Sequence, residues 1–323
     1  MFKLKEVVIT QEQQGLNQIK IWFLVSNKFI QILDIKRVKN YPLYMVIPAV
    51  LILLLLTIYP FIYLIYVSSH IWPISPTLPK IYLGFGQFTY LFQDPTFIES
   101  LKVTVNLMVV GVTIQISLGT LLAILLSTKT RITSYFTLPF MIPVFISPVV
   151  VGLIWKFMFN YDLGILNYLL ESIGIGAVNW LGTPRNAFWS VVIIDTWQWT
   201  PFTTLIIKAG LDSVDPTPIE AATVDGANRF QIFRHVTFPS IAPIFTVALL
   251  FRTLDAFKAF DIIYIVTRGG PGGSTYVLGY NIWKTAFYQN QLGLAGAMSV
   301  IMIVIATILA FILVRIMKGL LER

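Results

Sequence analysis

Six blocks of apolar residues constrain this chain more than any other feature, because each is near the roughly 20 residues that cross a bilayer as a helix. They lie near Tyr44–Val67, Leu101–Leu126, Phe136–Phe159, Ala187–Ala209, Ile241–Thr267 and Leu294–Met317. A membrane β-barrel would instead show alternating strands of roughly 10 residues. The chain is 56% hydrophobic and 12% charged, with a mean hydropathy of +0.78. A soluble protein of 323 residues needs more charge than that to cover its surface. The expected fold class is all-α: a polytopic membrane protein with about six transmembrane helices. Pro48, Pro60, Pro139, Pro143 and Pro148 fall within these blocks and are tolerable where helices pack against one another.

Charge sets the orientation. Lys and Arg are dense in the N-terminal tail, in the 127–135 loop, in the polar segment after the fourth block and at the C-terminus. The three intervening segments carry only Lys80, Lys102, Arg185, Arg268 and Lys284. The first set is therefore cytoplasmic, as are both termini. This distribution assigns the net charge of +8 to membrane topology and not to nucleic acid. Residues 1–40 read as a basic cytoplasmic extension. Within it, Trp22, Val25, Phe29, Ile32 and Leu33 recur at the spacing of an amphipathic helix on the membrane surface. The start is polar, so no cleavable signal peptide is expected. The transmembrane domain is expected over 41–323.

The most informative polar segment lies at 212–240, between the fourth and fifth blocks. Its stretch from Glu220 to Pro243 reads EAATVDGANRFQIFRHVTFPSIAP, preceded by Pro216 and Pro218. Glu220, Ala221 and Ala222 start a helix-compatible segment, Gly226 permits a turn, and Phe230 to Thr237 suit a second short helix. The string resembles the EAA loop of membrane permeases in binding-protein-dependent ABC importers. Glu220, Ala221, Ala222, Asp225, Gly226, Ala227 and Pro239 match that pattern, and Val236 and Phe238 replace the usual Ile and Leu. A second stretch, RTLDAFKAFDIIYIVTRGGPGGST from Arg252 to Thr275, is similar to sugar-type permeases of that family. Phe260, Asp261, Ile263, Tyr264, Thr267, Gly269, Gly270 and Pro271 carry this likeness.

The resemblance implies an ABC type I importer permease fold in the cell membrane. It also implies that the loop is the coupling helix, docking on an ATPase subunit. The implied partners are a second homologous permease, two ATPase subunits holding ATP and Mg, and an extracytoplasmic binding protein that delivers a sugar or oligosaccharide. Glycerol phosphate or a polyol is the alternative cargo. A non-transport membrane scaffold is the alternative from another class.

No cofactor is expected in this chain, and no enzymatic activity. There is no cysteine, and only His70 and His235 as histidines, on opposite sides of the membrane. No catalytic or metal-ligating cluster therefore suggests itself. There is no G-x-x-x-x-G-K-[ST] phosphate loop. The informative residues are the polar ones inside the apolar blocks, since an ionisable side chain in hydrocarbon faces a partner or a water-filled cavity. Asp195, Gln198, Trp199 and Phe202 fall at i, i+3, i+4 and i+7, on one helical face. Acceptors and a donor beside aromatic rings suit a sugar, so these four are candidates for the substrate path, facing Arg252 and Asp255. The competing reading pairs Asp195 with Arg252 or Lys258 as a lock between helices. Arg252, Asp255, Lys258 and Asp261 alternate in sign every third residue, a pattern that intrahelical pairs neutralise.

Overall fold

The computed structural model describes residues 41–73, 77–127 and 138–321. The amphipathic segment expected within residues 1–40 lies outside them. The chain divides into two compact units, one up to Tyr63 and the other from Leu64 onward. The first unit contributes most of helix α1 (Tyr41–Ser68), which runs unbroken through Pro48 and Pro60.

The second unit begins at the end of α1 and continues through a hairpin of two-residue strands, β1 (His70–Ile71) and β2 (Ile81–Tyr82). Helix α2 (Gly86–Leu91) follows. Helix α3 (Pro95–Leu126) starts six residues earlier than the apolar block, because Asp94 caps it and Pro95 suits the first turn. The third block is broken into α4 (Ile142–Phe145) and α5 (Pro148–Met158). Pro148 accounts for the break: the residue before a proline is pushed out of the helical region, and Ser147 sits at ψ 135°. Next come α6 (Ile165–Ser172) and the 29-residue α7 (Pro184–Asp212).

Beyond α7 lie α8 (Pro216–Val224) and the single turn α9 (Arg229–Ile232). The second short helix expected over Phe230 to Thr237 does not form as a separate element. After α9 the chain passes through a π turn, Phe233–Thr237, directly into α10 (Phe238–Phe257). Pro239 has no N–H to donate at the start of α10, and the widened turn instead sends the Phe238 N–H to the Phe233 carbonyl. The fifth block is also not one helix. It stops at Lys258 and resumes as α11 (Asp261–Val266). The strict alternation from Arg252 to Asp261 therefore does not continue on one helical face. No proline or glycine marks that break. It lies where Gly279 approaches the Ala259 carbonyl, so closely that a Cβ at 279 would sit 2.9 Å from it. Helices α12 (Leu278–Trp283) and α13 (Leu292–Leu321) complete the chain.

Four described stretches are both long and apolar enough to cross a bilayer: Val46–Ser68, Pro95–Leu126, Arg229–Val266 and Leu292–Leu321. The other two expected spans correspond to α7 and to the α4–α5 pair. At about 1.5 Å per residue, α7 is ample in length. It is more polar than those four, and its polar residues Ser190, Gln198, Thr203 and Thr204 are buried against neighbouring helices, while Trp189, Ile193 and Trp197 are exposed.

Helices α3 and α7 pack along each other, and α10 lies against both and against α13. Met108, Val112 and Ile116 of α3, Ile207 of α7, and Ile241, Ala248 and Phe257 of α10 form one buried core. Small residues allow the close approach, as is usual between membrane helices. A Cβ at Gly119 would lie 3.0 Å from the Thr203 Cβ and 3.2 Å from the Thr204 nitrogen. A second core joins Val151, Val191, Ile194, Ile262 and Tyr280.

Candidate functional site

Two regions gather the chemistry. The first is the hairpin of α8 and α9. Asp215 caps α8, accepting from the Thr217 N–H at 2.9 Å and its hydroxyl at 2.8 Å. Those bonds, the backbone one foremost, hold its carboxyl below the ordinary carboxylate range. Any contribution to helix stability is therefore present above the unfolded carboxyl pKa and fades as pH falls through the lowered value. At the far end of α8, Gly226 adopts φ +80°, a left-handed conformation that disfavours side chains. The Ala227 N–H closes back onto the Ala222 carbonyl at 3.0 Å, the bond of a Schellman C-cap. A Cβ at Gly226 would meet nothing within 4 Å, so the requirement is conformational and not spatial. Asn228 and Gln231 then form a reciprocal capping box that opens α9. No residue of α8 or α9 is buried. Val224 is 87% and Phe230 68% exposed, two apolar knobs beside exposed Glu220, Ala221, Asp225 and Gly226. Ala222 and Ala227 are half-buried, and Pro239 is exposed at the start of α10.

The second region lies where α3, α7 and α10 meet. Arg252 is fully buried there. Its Nε donates to Gln115 Oε1 at 2.6 Å, one terminal nitrogen to Asp255 Oδ2 at 2.7 Å and the other to Asp195 Oδ2 at 3.0 Å. Gln115 Nε2 donates to the same Asp195 oxygen at 2.6 Å. The guanidinium carbon also lies 5.1 Å from the Trp199 ring centre, within cation–π range. Asp195, Arg252 and Asp255 are thus brought together as expected, and the paired reading of Asp195 has its geometry. A cleft of about 100 Å³ opens beside them, lined among others by Asp195, Trp199, Asp255, Lys258 and Asp261.

Gln198 is not with them. It is fully buried and donates to the Ile146 carbonyl at 3.0 Å, toward the α4–α5 break, while its Oε1 has no partner among the described residues. The i, i+3, i+4, i+7 face is broad enough to point Asp195 and Gln198 at different neighbours. Phe202 stands edge-on to Trp199 and to Phe251, behind the cleft and not in its lining. Trp155 and Trp197 pack edge to face, and Lys156 donates to the Ile265 carbonyl at 2.9 Å, which gives these three helix-packing roles.

Gln115 is the member that sequence reading missed. Its signal was present: an amide in the middle of a 32-residue apolar helix, subject to the same rule that singled out Asp195. Among the described residues no three His, Cys, Asp or Glu side chains group as a metal site. The arrangement offers carboxylate acceptors, an ammonium donor and an indole face. Such groups suit hydroxylated rings, and among the described residues lining the cleft no nucleophile is paired with a base.

Comparison with known proteins agrees with this architecture. Residues 101–323 match the family model described as the binding-protein-dependent transport system inner membrane component. The chain is 36% identical over 274 residues to the probable ABC transporter permease protein y4oQ of Sinorhizobium fredii, covering 84% of this chain and 88% of that one. It is 33% identical over 278 residues to the trehalose/maltose transport system permease protein MalF of Thermococcus litoralis, covering 85% and 92%. The fold matches the crystal structure of a bacterial ABC transporter involved in the import of the acidic polysaccharide alginate, with TM-score 0.75, 24% identity, and coverage of 88% of this chain and 97% of that one. Apolar helices long enough to span, a capped and exposed hairpin between α7 and α10, and these similarities agree: the chain belongs to the family of binding-protein-dependent transport system inner membrane components, as a multi-pass permease subunit of an ABC importer in the cell membrane.

Proposed function

We propose that this permease moves a sugar or oligosaccharide, delivered by an extracytoplasmic binding protein and driven by ATP hydrolysed on separate subunits. The observation that carries the reading is the cleft beside Arg252, which Asp195, Asp255 and Lys258 line together with Trp199. Sugars need that mixture, hydrogen-bond partners for hydroxyls and a flat apolar surface for their C–H faces. A relative named for trehalose and maltose transport supports it. Arg252 is engaged by Gln115, Asp195 and Asp255, so it is not free to hold the phosphate of a glycerol phosphate cargo. This permease pairs with a second, similar one around a shared path. Two ATPase subunits hold ATP and Mg, and no cofactor belongs to this chain. Residues 1–40 are a cytoplasmic extension before the transport domain of 41–323.

The α8–α9 hairpin is the coupling element. Its caps are internal, so it is shaped without help from the rest of the chain, and Val224 and Phe230 offer an apolar surface to an ATPase cleft. Gly226→Pro, which cannot adopt φ +80°, and Glu220→Lys are expected to lower uptake in proteoliposomes at least about ten-fold while membrane insertion stays normal. Normal uptake and normal ATPase association in both variants would remove the basis for this assignment.

Trp199 is the path residue whose loss is easiest to read. Trp199→Ala removes the stacking surface, so uptake of a cognate sugar per assembled importer should fall several-fold, for a loss of about 1 kcal/mol or more. Basal ATPase activity should persist. Unchanged uptake in Trp199→Ala and Asp255→Asn together would place the path elsewhere.

A further inference from the structure

A second pocket, of about 320 Å³, lies at the far end of the α10–α11 run from the coupling hairpin, on the outer side. Tyr264, Tyr280, Trp283 and Tyr288 wall it, and Arg268 and Lys284 provide its charge. The walls are built to hold their shape. Tyr264 and Trp283 meet edge to face at 4.7 Å, and Trp283 stacks on Tyr280 at 5.8 Å. Gly269 presses its backbone against Tyr276 and Tyr280, so that a side chain there would start 2.6 Å from the Tyr276 ring and 3.2 Å from the Tyr280 ring. Tyr280 is buried, whereas Tyr288 is 74% exposed at the mouth.

Among the described residues neither Arg268 nor Lys284 forms an ion pair, and Lys284 lies only over the Tyr276 ring, at 5.3 Å. Arg268 also sits at φ +50°, a left-handed conformation that a side chain normally avoids. A glycine would relieve that strain, so the guanidinium occupies a place where the backbone alone favours its absence. The pocket therefore combines flat aromatic faces with charged donors and contains no carboxylate.

We propose that this pocket is an outer subsite for acidic saccharides, stacking a sugar ring on Trp283 and Tyr264 while Arg268 and Lys284 hold its carboxylate. The proposal rests on the reading of the chain as a sugar permease and adds a substrate class to it. The subsite is separate from the cleft beside Arg252, and it would capture cargo before that cleft is reached.

The test is isothermal titration calorimetry on the full chain in phosphatidylcholine nanodiscs. Three probes separate ring from charge: trigalacturonate carries both, maltotriose only rings, glycerol 3-phosphate only charge. Trigalacturonate should bind saturably and at least about ten-fold more tightly than either of the others, since charge-assisted hydrogen bonds add to stacking. Arg268→Gln with Lys284→Gln should bring its affinity down to that of maltotriose. Trp283→Leu, which keeps apolar volume but loses the large flat ring, should weaken trigalacturonate and maltotriose alike. Equal affinity for trigalacturonate and maltotriose, absence of trigalacturonate binding, or indifference to all three substitutions overturns the proposal. Binding that follows Asp255 and Lys258 instead also overturns it, while leaving the sugar reading intact. That reading fails on a different measurement, the absence of sugar uptake by the assembled importer.

Discussion

Arg252→Met is expected to lower the stability of this protein more than any other single substitution in the helix core, by about 3–5 kcal/mol. The buried guanidinium joins three helices through Gln115, Asp195 and Asp255. Methionine fills much of the volume but leaves Asp195 without its cation and Gln115 Oε1 without a donor. Asp255 matters less, because its side chain is 50% exposed and can turn to water. Asp195→Asn should be milder, since the Gln115 contact and the Arg252–Asp255 pair can survive. Removing the charges together, as Asp195→Leu, Arg252→Met and Asp255→Asn, should recover part of the loss, because an apolar replacement of a whole buried network is often close to neutral. The melting temperature in detergent and the abundance of inserted protein give the reading. A wild-type melting temperature for Arg252→Met would show that the network does not hold the helices together.

Gly119→Val is expected to be the second most damaging change. The added side chain would meet both the Thr203 side chain and the Thr204 backbone, so the α3–α7 contact must open. Overfilling a well-packed interface ordinarily costs about 1–3 kcal/mol, and backbone on the opposing side puts this case at or above the upper end. Thr203 additionally donates to the Gln115 carbonyl at 3.2 Å, so opening the contact would also disturb the helix carrying the buried amide. Gly119→Ala combined with Thr203→Ala should be less destabilising than the sum of the two single changes, which a double-mutant cycle in thermal unfolding measures. Strict additivity would show that the two residues do not press on each other.

The turn of the α8–α9 hairpin was legible because what shapes it is local: Pro216 and Gly226 act on their own backbones within a turn or so, whereas the Asn228 capping box and the π turn that carries α9 into α10 were not read. The helical blocks were legible for the same reason: length and hydropathy are properties of a continuous segment. Reading failed where the outcome depended on a distant neighbour. The break after Lys258 has no breaker residue, and it lies against Gly279. Gln198 belongs to the expected helical face by periodicity, yet its amide goes to the Ile146 carbonyl, which is exposed only because Pro148 interrupts that helix.

The sequence by itself determined that the chain crosses a membrane as helices, and it carried the expectations of which side the termini take and where the chain is engaged from the cytoplasm. These follow from hydrophobicity, from the positive charge of loops and from local capping, none of which requires knowing what lies across the interface. The tertiary structure alone decided which intramembrane polar groups meet. Asp195, Gln115 and Arg252 are 57 or more residues apart in pairing, and only the approach of α3, α7 and α10 brings them within hydrogen-bond distance. Hydrocarbon forces each such group to find a partner but does not name it, and the choice falls to whichever donor or acceptor helix contact places within reach.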